Sequence, residues 1–130
     1  MANLKRNVIE LVKEVTADGE VITEKFLTPP FIPLSVVYQA MDLVEEAQKG
    51  ETAEREMFDR MIDFVVNDIY GNKFTKDELV NGLHAPDAVE VINDQVLFVS
   101  QGRQSDETKK FLENKRYVTK ISQQKNKKNT

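Results

Sequence analysis

The 130-residue chain predicts a mostly α, α+β fold: an N-terminal β-hairpin, then a small helical part of about five helices, then a flexible basic tail. Three observations carry this. Asp18-Gly19 is a turn pair, and the run beyond it is rich in β-branched residues. Two adjacent apolar rows at helical spacing run from Met57 to Tyr70. The charge changes sign near the end. From Met1 to Arg116 fourteen Lys/Arg stand against twenty-two Asp/Glu, net −8, whereas Tyr117 to Thr130 holds four lysines and no acid, net +4. The expected organisation is one globular domain over 1–116 and a disordered basic tail over 117–130.

The hairpin is expected within residues 5–27, its arms near 5–15 and 20–27. Val8, Leu11, Val12 and Val15 also fit helical spacing. The turn pair and the run Val21-Ile22-Thr23-Glu24-Lys25-Phe26 favour strands. Thr28-Pro29-Pro30-Phe31-Ile32-Pro33 then breaks regular structure, because consecutive prolines lack amide donors.

Helices are expected over about 33–116. Pro33 suits the first position of the first, where a missing N–H is harmless. Leu34, Val37, Tyr38, Met41 and Val44 predict its apolar face, and Gly50 its stop. In the second, Met57, Met61, Val65 and Ile69 form one row, with Phe58, Ile62, Val66 and Tyr70 beside it. Arg55, Asp59, Arg60, Asp63 and Asn67 lie opposite, and Gly71 ends it. Thr75-Lys76-Asp77-Glu78 reads as a capping box opening a short third helix to about Asn81-Gly82. Pro86 opens a fourth, with Asp87 in its first turn. Val89, Val91, Ile92, Val96, Leu97, Phe98 and Val99 point nearly all round, which predicts a central, mostly buried helix ending at Gly102. Ser105 caps a fifth, with acids first and Lys109, Lys110, Lys115 and Arg116 toward its end, matching the helix dipole. Only Phe111 and Leu112 are large and apolar there, so its hold on the body is expected to be weak.

The chemistry of the chain is sparse. It has no cysteine, which excludes disulfides, thiolate metal sites and cysteine nucleophiles. No apolar run approaches the roughly 20 residues of a membrane span, and the first thirteen residues lack a signal peptide's apolar core. His84 is the single histidine. With Asp87 it would make a general base, but no serine, cysteine or second histidine stands at a motif spacing, and the position reads as a helix start. Nine acids and three bases lie between Asp42 and Asp68. They show no calcium-loop pattern and fall on the polar faces of two helices. Gly71-Asn72-Lys73-Phe74-Thr75 lacks the phosphate-loop frame. No cofactor, metal or catalytic set is expected.

The sequence offers more in the way of binding elements. Met41, Met57 and Met61 suit either an adaptable groove or the core. Phe111, Leu112, Tyr117 and Val118 place apolar groups on a charged, weakly held segment, the pattern of a helix that docks either on a partner or on the body. The tail lysines, with Lys109, Lys110, Lys115 and Arg116, suggest an alternative function, a small nucleic-acid-binding regulator using the basic C-terminal segment. The acidic body opposes it, since phosphate binding needs a basic face.

From Asn72 to Gly102 the chain resembles a known family. The carriers are Phe74-Thr75-Lys76-Asp77-Glu78-Leu79, then Asn81-Gly82-Leu83-His84-Ala85-Pro86-Asp87-Ala88, then the apolar helix ending at Gln101-Gly102. The likeness extends upstream through Phe31-Ile32-Pro33-Leu34-Ser35-Val36-Val37-Tyr38. This pattern is similar to tail assembly chaperones of long-tailed phages and prophages of Gram-positive bacteria. The resemblance implies a small, mostly helical, non-catalytic protein of the host cytoplasm, absent from the finished virion. It implies binding to the tape measure protein, which it keeps soluble, and help for tail tube protein subunits polymerising around it. Self-association is a further expectation. The family often makes a longer product by ribosomal frameshifting, and Lys127-Lys128-Asn129 is compatible with the slippery heptamer A-AAA-AAC.

Overall fold

The computed structural model describes residues 4–113. The expected tail, 117–130, and the end of the expected domain lie outside them. Strands β1 (Val8–Val15) and β2 (Val21–Leu27) are followed by helices α1 (Ser35–Lys49) and α2 (Glu54–Phe64). A π-helical turn, Val65–Ile69, continues α2, and α3 (Lys76–Gly82) and α4 (Ala85–Gln101) come next. Residues 106–113 form a fifth helix, α5. A hairpin followed by five helices is the predicted architecture.

The strands pair antiparallel from Val8↔Leu27 to Val15↔Val21. The turn closes through Gly19 N–H to Thr16 O at 2.9 Å, with Gly19 at φ 87°, a conformation that glycine adopts without a Cβ clash. A bulge at Lys13 shifts the register between Val12 and Glu14. Before it Ile9 and Leu11 are buried; beyond it Val15, Val21 and Ile22 are exposed. The hairpin is therefore held by its base. There Gly82 of α3 meets β1 so closely that a Cβ would lie 3.1 Å from both Leu11 Cβ and Val12 O.

The two apolar rows of α2 behave as predicted. Met57, Ile62, Val65, Val66, Ile69 and Tyr70 are buried, and Phe58 and Met61 are half-buried. Sequence periodicity did not reveal the π turn, in which Tyr70 N–H bonds Val65 O, five residues back, at 3.0 Å. Ile69 and Tyr70, at the end of this turn, are both fully buried. Gly71 and Asn72, at φ 58° and 61°, then end the helix. The capping box forms as read: Glu78 N–H donates to Thr75 Oγ1 at 3.1 Å and Thr75 N–H to Glu78 Oε1 at 3.0 Å.

A polar seam joins the first and last parts of this core. Tyr70 OH and Asn7 Nδ2 both donate to Gln95 Oε1, at 2.5 and 2.9 Å. Gln95 Nε2 donates to Val8 O at 3.1 Å. Asn7 and Thr28 bond each other twice at the hairpin base, through Asn7 N–H to Thr28 Oγ1 and Thr28 N–H to Asn7 O, both 3.0 Å. Burial pushes the Tyr70 hydroxyl well above its ordinary pKa, so it stays a donor.

Three expectations are corrected. Pro33 is not the first helical residue; α1 starts at Ser35, and Pro33 contributes its carbonyl to Val36 N–H. In α4 burial begins only at Ile92. Val89 is 60% exposed, because apolar character all round a helix does not supply neighbours all round it. The apolar face read for α1 also divides, which matters for function.

Candidate partner-binding surface

Of the four sequence-predicted contact residues, two lie in α5. Ser105 caps it as expected, Oγ accepting from Thr108 N–H at 3.1 Å. Phe111 and Leu112 are each half-buried. The Lys25 ammonium lies 4.4 Å from the Phe111 ring centroid, which places Phe111 beside β2. Gln104 Nε2, just before α5, donates to Arg6 O at 2.5 Å. Tyr117 and Val118 lie outside the described residues.

A larger exposed apolar surface lies on α1. Val36 and Ala40 turn into the core, with Leu43 and Val44 packed against it. The opposite side carries Leu34, Tyr38 and Met41, spaced four and three apart and thus one above another on the helix. They are 67%, 63% and 56% exposed, and Phe31, just before the helix, is 65% exposed. Isolated exposed apolar residues are ordinary, but a contiguous row marks a contact surface. Beside the row a shallow groove of about 280 Å³ is lined by Leu4, Lys5, Pro30, Phe31, Ile32, Val37, Phe98 and Val99.

The other flank is polar. A second groove, between α1 and α2, is lined by Gln39, Leu43, Arg60, Asp63, Phe64, Asn67 and Asp68. Residues 4–113 contain all 22 acids and 12 of the 18 cations, net −10. The cations near this flank are already engaged. Arg60 bonds Glu46 and, at 2.9 Å, Glu56; Lys76 bridges Asp59 and Asp63 at 2.8 and 3.0 Å. These carboxylates, Glu46 first, raise the Arg60 pKa, and those beside Lys76, Asp59 first, raise that of the lysine. Asp42 and Asp68 have no ion-pair partner among the described residues.

The sequence contained a signal for this surface. Val36, Val37, Ala40, Leu43 and Val44 already make a core-facing stripe, so Leu34, Tyr38 and Met41 are surplus to one face. Of Met41, Met57 and Met61, Met57 is buried, Met61 half-buried, and Met41 sits on the exposed row. His84 precedes α4 as an exposed residue whose side chain makes no cap bond. Among the described residues no three His, Asp or Glu side chains gather to hold a metal, and no helix is long and apolar enough to cross a membrane.

An N-terminal hairpin on a five-helix body, with an apolar row edged by acids, describes a protein equipped for protein–protein contact. A model of the phage tail chaperone protein family matches residues 3–116, most of the chain. The chain belongs to that family. Comparison with curated proteins and with solved structures gives no significant match.

Proposed function

We propose that this protein is a tail assembly chaperone that binds the tape measure protein, keeps it soluble and promotes tail tube assembly around it. The carrying observation is the exposed Phe31-Leu34-Tyr38-Met41 row in a chain of the tail chaperone family. A long helical client exposes apolar faces before assembly, and an exposed apolar row covers such a face reversibly. The protein acts by binding rather than catalysis, in the host cytoplasm, and leaves before the virion is complete. The tail tube protein is the second partner. Phe111 and Leu112, with Tyr117 and Val118, form a secondary contact, and Lys127-Lys128-Asn129 marks the frameshift point of a longer product.

Co-expression with the tape measure protein encoded by the same genome tests this. The expected result is a shift of that protein into the soluble fraction and its co-purification with the chaperone. A tape measure protein that stays insoluble and unbound would refute the reading.

A further inference from the structure

We infer that the outer row of α1 and the groove beside it seat one amphipathic α-helix of the client, one that carries lysine or arginine along a single flank. The inference rests on the chaperone reading and adds the surface and the chemistry of what it holds.

The row's length sets the size of the occupant. Leu34 and Met41 are separated by seven residue steps, about 10 Å of helix, or two turns. A partner helix with apolar residues at i, i+3 or i+4, and i+7 matches it. The groove beside Phe31, Val37 and Val99 receives one further large side chain at the end of the row. The occupant is helical for a reason of hydrogen bonding. The peptide groups of α1 are bonded within the helix, so it offers no sheet edge. A segment lying on it must satisfy its own backbone groups, and a helix does.

The flanks set the charge and orientation. The groove side is apolar apart from Lys5, whose ammonium is held by Gly102 O at 2.6 Å. On the opposite side Asp42 borders the row, Asp68 lies across the second groove, and Glu45 continues the row beyond Met41. Apolar on one side and acidic on the other, the surface accepts a helix whose cations lie on one flank only. A second copy of this chain is a poor occupant. Its α1 carries one cation, Lys49, and this already lies 3.9 Å from Glu45.

The test uses the full-length protein and overlapping 25-residue peptides, roughly seven helical turns each, that tile the tape measure protein. Binding is read by fluorescence anisotropy at low and high salt. Peptides with a basic flank should bind the wild type. Tyr38→Asp with Met41→Asp should weaken that binding roughly 30-fold, as loss of central apolar anchors does. Asp42→Lys with Asp68→Lys should weaken it roughly tenfold at low salt and less at high salt. The charge-reversed pair should recover affinity for a peptide whose flank is changed to glutamate. Val89→Asp, equally exposed but on α4, should bind as wild type, and circular dichroism should show every variant folded. Unchanged peptide binding by Tyr38→Asp with Met41→Asp overturns the inference while leaving the chaperone reading intact. A wild-type dimer that this variant dissociates gives the row to a second copy and overturns it too. If the wild type fails to bind either peptides or the intact client, the chaperone reading itself fails.

Discussion

Around Gln95 three polar side chains lie buried, whereas on the outer side of α1 and just before it four large apolar side chains lie in water. Each region departs from the usual sorting of residues, in opposite directions. Asn7 Nδ2, Tyr70 OH and the Gln95 amide bond one another and Val8 O, leaving only Asn7 Oδ1 without a partner among the described residues, so their polarity is used within the molecule, to fix where the hairpin sits on α4 and the π turn. Phe31, Leu34, Tyr38 and Met41 have no such use within the described residues. The seam should therefore control folding with little direct effect on binding, and the row should do the reverse.

The strongest way to break that division is Gln95→Leu. It leaves Tyr70 OH, Asn7 Nδ2 and Val8 O without their partner, and the expected loss is about 3 kcal/mol of unfolding free energy by urea titration. Client affinity of the folded fraction should be unchanged; a fall in affinity at constant stability would merge the two regions into one.

A smaller effect is expected where the two characters meet. Phe111 and Leu112 are half-buried, Phe111 beneath Lys25 of β2, so Phe111→Ala with Leu112→Ala should lower stability by about 1–2 kcal/mol. As a secondary contact the pair should also weaken client binding, by less than the α1 row does; lost client binding at an unchanged thermal midpoint would place it wholly on the binding side of the comparison.

The smallest effect concerns pH. The Lys13 ammonium, 2.5 Å from Glu78, and the capping bond from Thr75 hold the Glu78 carboxyl below its ordinary range. A lowered folded-state pKa adds stability above the ordinary glutamate value of 4.5, and that stability is lost as pH falls through the lowered value. Glu78→Gln should flatten this acid limb in midpoint-versus-pH curves. Because the bridge is surface-exposed, added salt should shrink the difference, and client binding near neutral pH should not change.

Local features were legible from the residues alone. Asp18-Gly19, the Thr75–Glu78 box, the glycine stops at Gly50 and Gly102 and the double row of α2 each encode short-range hydrogen bonds or a repeat. These depend on neighbours a few residues away. The π turn was not legible, because its rows read as ordinary helix and the extra residue shows only in the Tyr70–Val65 bond. The seam was not legible either: Asn7, Tyr70 and Gln95 lie far apart in sequence, and nothing local pairs them.

By itself, then, the sequence determined the hairpin, the five helices, the acidic body and the absence of cysteine chemistry. Only the tertiary structure decided which of the two apolar stripes of α1 is covered. Periodicity states that a stripe is apolar. Burial depends on what packs against it, and α4 and α2 cover Val36 and Ala40 while leaving Leu34, Tyr38 and Met41 in water.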